Sequence, residues 1–186
     1  MTQLRPILAL TAVLLLAACG QPAPAEPSAQ AAAPPALPLR MALTGDGLMA
    51  VRADTGGTEL LPFSRSKGQT LVTMTRAEPA RGQESVNSEC GAGPLTFVAW
   101  LDGLTLVFQD DRFAGWTVNK PGLTTMDGIG VGSTRAELLA ARPTTTVEES
   151  TLGTEFAVGE MGGLFDGKGP TAKITNLWAG VTCMFR

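Results

Sequence analysis

The sequence predicts an α+β fold: two helix-then-antiparallel-strand units packed as one compact domain, behind an exported leader and a disordered linker. Three observations predict it. Glycine is abundant, at 22 of 186 residues, and charged residues make up only 17%, below the roughly 25% usual for soluble domains. Glycine supplies turn geometry and is costly inside helices, so this composition favours sheets joined by tight turns. A helix signal followed by several strand-like runs then occurs twice along the chain. Runs of strands beside segregated helices are the α+β pattern.

Residues 1–20 read MTQLRPILALTAVLLLAACG. Arg5 is a positive n-region, residues 7–16 are an apolar core, and Ala17 and Ala18 are small residues before Cys19. This is the layout of a secretory leader. A membrane-spanning helix needs about 20 apolar residues, and Gly20, Pro22 and Pro24 interrupt this run too soon. The segment Leu16-Ala17-Ala18-Cys19 resembles the bacterial lipobox. That resemblance implies a signal peptide at 1–18, diacylglycerol on the Cys19 thiol, cleavage before Cys19, and an acyl chain such as palmitate on the new amine. Gly20 in place of Asp implies outer-membrane sorting, with the body facing the periplasm or the cell surface. Each buried methylene contributes about 0.8 kcal/mol and one chain alone binds marginally, so two or three chains would anchor the protein stably.

Residues 21–38, QPAPAEPSAQAAAPPALP, hold six prolines. Proline donates to neither helix nor ladder, so 19–38 reads as a lipidated cysteine on an Ala/Pro-rich tether. Fully extended at about 3.1 Å per residue, it could reach roughly 50 Å.

The body, 39–186, opens with a strand-and-turn stretch at 43–52, its turn at Thr44-Gly45-Asp46-Gly47. Residues 64–78 are weakly helical and stop at Pro79, and a polar loop fills 80–94. Strand-like runs follow at 95–101, 104–109 and 112–118. Asp102-Gly103 between the first two is a strong two-residue hairpin signal, and Asp110-Asp111 separates the next two. In the second half a helix runs from Thr134 to about Ala141, with Thr134 and Glu137 spaced as a capping box and Pro143 as its stop. Strands are expected at 145–150, 154–158, 161–165 and 172–179. The pseudo-repeat is thus 39–122 and 123–186. Its element order, with the phrase Gly132-Ser133-Thr134-Arg135-Ala136-Glu137-Leu138-Leu139, is similar to β-lactamase-inhibitor-protein and BamE-like envelope modules. In those, a Gly-x-Thr/Ser turn starts a helix that packs on an antiparallel sheet. The helix here ends Ala141-Arg142-Pro143 where those often end Leu-Gly, and no functional residue transfers.

Function classes narrow by composition. There is no histidine, which removes Ser-His-Asp triads, Cys-His pairs and the commonest metal ligand. The four lysines stand apart at 67, 120, 168 and 173, so no basic stripe for nucleic acid exists. Removing 1–18, whose one charged residue is Arg5, takes the formal net charge from −3 to near −4. No cofactor, metal or nucleic acid is expected. With Cys19 lipidated, Cys90 and Cys183 remain, and an even pair in an oxidising compartment reads as a disulfide. The alternative is a reactive thiol, for which no histidine and no neighbouring lysine lowers the pKa.

Weaker constellations have plainer readings. Gly128, Gly130 and Gly132 space as G-x-G-x-G, a turn and cap rather than a dinucleotide loop. Asp102, Asp110, Asp111, Glu148 and Glu149 read as solvated turn or strand-end charges. Ser64 and Lys67 fit Ser-x-x-Lys, the spacing of a Ser-Lys hydrolase. Trp100, Trp116 and Trp178 sit in strand-like runs, where packing is the default, and one exposed tryptophan would be a partner anchor. The leading expectation is a non-catalytic, membrane-anchored envelope lipoprotein that binds or assembles with a protein partner. An inhibitor of an envelope or extracellular enzyme is the alternative and predicts exposed aromatics on a concave sheet face. The Ser-Lys hydrolase is third.

Overall fold

The computed structural model describes residues 39–183. The signal peptide 1–18, the lipobox with Cys19, and the tether 19–38 lie outside the described residues.

The chain enters as β1 (Leu39–Thr44), β2 (Gly47–Arg52) and β3 (Thr58–Pro62), a three-stranded antiparallel meander. The stretch expected as one strand-and-turn is a hairpin, with Thr44 opposite Gly47. A Cβ on Gly47 would lie 2.0 Å from the Leu61 carbonyl oxygen, so only glycine allows this approach. Two helices follow at separate points in the chain, α1 (Lys67–Ala77) and α2 (Arg135–Ala141). Ser66 caps α1, its Oγ accepting from Gln69 N at 3.4 Å, and Pro79 prevents continuation. Thr134 and Glu137 form the capping box of α2. Thr134 N donates to Glu137 Oε2 at 2.7 Å, and Glu137 N donates to Thr134 Oγ1 at 3.2 Å. The Thr134 amide holds the Glu137 carboxyl below its ordinary pKa.

The remaining strands are β4 (Gln83–Asn87), β5 (Leu95–Ala99), β6 (Leu104–Gln109), β7 (Arg112–Val118), β8 (Thr146–Ser150), β9 (Gly153–Val158), β10 (Met161–Phe165) and β11 (Ile174–Gly180). They make one eight-stranded sheet, ordered β4-β5-β6-β7-β11-β10-β9-β8. Two meanders join where β7 pairs antiparallel with β11, placing Trp116 opposite Ala179.

The α+β expectation of two helix-strand units is overturned. Eleven described strands in two antiparallel sheets stand against helices of 11 and 7 residues, so the fold is mostly β. Two physical causes explain the error. β4 is polar and exposed throughout, and β3, TELLP, buries only Leu61, so both lack the hydrophobic alternation by which strands are read. β4 lies inside the expected polar loop, yet all five of its residues pair with β5. The β1–β3 sheet also has no counterpart in the second half among the described residues.

Side chains alternate across the eight-stranded sheet. On one face Val98, Leu106, Trp116, Ala179, Met161 and Val158 are cross-strand neighbours in series. All are buried, and they share a core with β1–β3, Met74 of α1 and Leu138 of α2. Trp116 has no exposed surface, and its indole N–H donates to the Thr44 carbonyl at 3.0 Å, tying the two sheets together. On the opposite face Leu95 and Val107 pack with Cys90 in a second, smaller cluster. No helix of the described residues is long and apolar enough to cross a membrane.

Candidate functional site

Cys19 lies outside the described residues; the other chemistry-bearing residues singled out above have definite places. Cys90 and Cys183 form a disulfide, with the sulfurs 2.05 Å apart. The bond joins the loop after β4 to the segment after β11, and Phe97, Val181, Leu95 and Val107 pack around it. The thiol-reactivity alternative therefore falls for both cysteines.

The three tryptophans are buried rather than displayed. Trp116 is fully enclosed, and Trp100 and Trp178 are only 9% and 8% exposed. Trp100 follows β5, and its indole N–H donates to the Ala80 carbonyl at 2.9 Å, holding the chain that leads into β4. One edge of its ring borders a mainly apolar groove of about 220 Å³ shared with Leu71, Gly82 and Val98. Trp178 lies on the sheet face away from the main core, directly opposite Gly162. A Cβ on Gly162 would come within 2.6 Å of the indole nitrogen, so the ring needs glycine beneath it. Beside it is a cleft of about 230 Å³ lined by Glu148, Glu155, Glu160 and Thr146. Among the described residues, the exposed large hydrophobic side chains are Val72, Val86, Leu101 and Met126, none of them aromatic. The enzyme-inhibitor alternative, which expects exposed aromatics, gains no support from this surface.

Ser64 and Lys67 are not assembled as a nucleophile and base. Ser64 is the turn before α1, held at φ +76°, and its carbonyl accepts from Arg112 Nη1 at 2.9 Å. The Lys67 amine donates to Glu84 Oε1 at 2.6 Å and lies 5.9 Å from the Phe108 ring centre. The Lys67 amine is thus engaged by Glu84, and its contact with that carboxylate does not include Ser64. Asp110 and Asp111 both adopt positive φ, +49° and +56°, and connect β6 to β7, as a two-residue type I′ hairpin turn requires. The expected two-residue turn at Asp102-Gly103 is instead the end of a four-residue connection, 100–103, between β5 and β6. Asp102 Oδ1 there accepts from Leu104 N at 3.2 Å. The glycines at 128 and 132 have φ of +83° and +96°, in keeping with the turn-and-cap reading.

One charged feature was missed from sequence. Arg142, just past α2, grips Asp127 with two hydrogen bonds, Nε to Oδ2 at 2.9 Å and Nη2 to Oδ1 at 2.8 Å. The Thr125 hydroxyl donates to the same carboxylate at 2.5 Å. The guanidinium, against a smaller opposing effect of burial and helped by Thr125, holds the Asp127 carboxyl far below its ordinary pKa. The residues are 15 apart in sequence, a separation with no local pattern to betray the pair. A carboxyl with a depressed folded pKa stabilises above its unfolded pKa of about 3.9, and that contribution is lost as pH falls toward the folded value. The Asp127 side chain is 40% exposed, so solvent limits the gain to about 1 kcal/mol. Asp127→Asn should lower stability by about that amount at pH 7. Urea titrations at pH 7 and pH 3 check this: the wild-type advantage should narrow at pH 3, and an equal gap at both would refute the assignment.

No family model matches this chain, and no curated protein matches it. Among solved structures it is similar to the crystal structure of the uncharacterized protein yfeY from Escherichia coli. The match covers 75% of this chain and 99% of that one, at 9% identity and a TM-score of 0.51. At that identity the likeness concerns the fold alone.

Proposed function

We propose that this protein is a lipoprotein of the bacterial envelope: cut before Cys19, acylated there, and held on the outer membrane with residues 39–186 as a non-catalytic binding or assembly module facing the periplasm. The observation that carries this reading is the closed Cys90–Cys183 bond. Disulfides persist in oxidising compartments. This one also uses two of the three cysteines, leaving Cys19, at the end of Leu16-Ala17-Ala18, as the sulfur for lipid. Anchoring then rests on acyl chains and requires no membrane-seeking helix in the body. The non-catalytic part is supported by the Lys67–Glu84 pair, which occupies the only base that the Ser-x-x-Lys spacing offered.

The reading is tested by growing cells with an alkyne-bearing palmitate analogue. Label should enter wild type and be absent from Cys19→Ala. Crosslinking in intact envelopes should recover a protein partner with wild type and lose it with the variant. Equal labelling of both chains would overturn the anchoring.

A further inference from the structure

We propose that β4 is a self-pairing edge, joining two copies of this chain antiparallel about Ser85 into one continuous sheet. The two sheets offer four edge strands, β1, β3, β4 and β8. Exposed edges template pairing with another chain unless blocked by charge, proline or covering structure. β1 is partly covered, since Leu43 N donates to the Thr124 carbonyl at 2.9 Å and Leu43 bridges Thr125. β3 ends in Pro62, which has no amide to donate to a new ladder. β8 carries Glu148 and Glu149 side by side. β4, with the sequence QESVN, has no such device. All five of its residues are exposed, and its one charge, Glu84, is neutralised by Lys67 at 2.6 Å.

Charge then selects the occupant. In a twofold antiparallel pair centred on Ser85, residue i faces residue 170 − i of the second copy. Ser85 meets Ser85, Gln83 meets Asn87, and Glu84 meets Val86, so no like charges oppose. Immediately beyond the strand ends, Arg81 meets Glu89 at both ends of the pair, and both residues are exposed. The same operation on β8 would set Glu148 against Glu148, a destabilising arrangement. The polar side chains Gln83, Ser85 and Asn87 share one face, where amide and hydroxyl groups can bond across the seam. Val86, 68% exposed, lies on the other face, which a second copy would cover. This chain's own tether is a poor occupant, because its one proline-free run of five or more residues, SAQAAA at 28–33, is mostly alanine, which is depleted in strands.

A five-residue ladder is short, so a covalent trap is the primary readout. Residues opposed across an antiparallel pair have Cα atoms about 4.5–5.5 Å apart, within the range that a disulfide spans. In the full chain in its own membrane, Ser85→Cys should shift most of the protein to a reducible band of twice the monomer mass, with the two 85-containing peptides joined. Glu148→Cys on the opposite edge should not. Adding Arg81→Glu to Ser85→Cys should cut the yield severalfold, and further adding Glu89→Arg should restore it. Unchanged thermal melting would show that each variant is folded. A Ser85→Cys chain that stays monomeric while its thiol reacts with maleimide overturns the proposal. So does a yield indifferent to Arg81→Glu, or a crosslink to a different protein.

Discussion

Trp116→Ala is expected to unfold this protein or bring it to the brink of unfolding. The side chain has no exposed surface and stands where both sheets meet. Truncating a buried tryptophan to alanine costs about 3–5 kcal/mol through lost transfer energy and the cavity left behind. The Thr44 carbonyl would also lose its indole donor, adding about 1–3 kcal/mol if no water replaces it. A domain of this size has about 5–15 kcal/mol in total, so the sum is a large fraction of it and, toward the lower end of that range, all of it. Trp116→Phe keeps most of the volume and loses the hydrogen bond, and should cost about 1–3 kcal/mol. Urea midpoints should fall in the order wild type, Trp116→Phe, Trp116→Ala, with unchanged slopes. Equal midpoints for the phenylalanine variant and wild type would show that the bond to Thr44 contributes nothing.

Opening the Cys90–Cys183 bond should have the second-largest effect. The cysteines are 93 positions apart, and a loop of about 100 residues gives about 4.7 kcal/mol in the chain-entropy account. Measured values for native disulfides run about 2–5 kcal/mol, and the effect acts mainly by freeing the unfolded chain. The double variant Cys90→Ala with Cys183→Ala should therefore lose a few kcal/mol while its backbone remains native. The sulfurs also belong to the small cluster on the outer sheet face, where Cys90 is 5% exposed beside Leu95 and Val107. Some loss will thus reflect packing. Reductant should destabilise wild type by a similar amount and leave the double variant unmoved. Insensitivity of the wild type to reductant would contradict the assignment.

What could be read from the sequence follows from the range of each interaction. β6 and β7 were legible to the residue, because their apolar runs are bounded by turn residues at both ends. The α2 start was legible because a capping box is a four-residue pattern. The disulfide was legible by parity once Cys19 was assigned to lipid. β4 was not legible: Gln83, Glu84, Ser85 and Asn87 carry no hydrophobic signal, and only the register against β5 defines the strand. That omission concealed the completed meander and left the fold class wrong. For the site residues, the strand-like runs placed Trp116 and Trp178 correctly in strands, overran Ala99 to include Trp100, and could not give the exposure of any of the three. Trp178 depends on Gly162, a neighbour across the sheet, and Arg142 on Asp127, a neighbour across a loop. Such pairings are tertiary facts, and no short spacing carries them.

We propose that fatty chains, rather than any protein element, hold this disulfide-closed body in the envelope. Mass spectrometry of the N-terminal peptide from native membranes addresses that most directly. The expected peptide begins at Cys19, with a diacylglyceryl group on sulfur and a further acyl group on the amine. An unmodified thiol at Cys19, or a peptide still joined to Leu16-Ala17-Ala18, would contradict it.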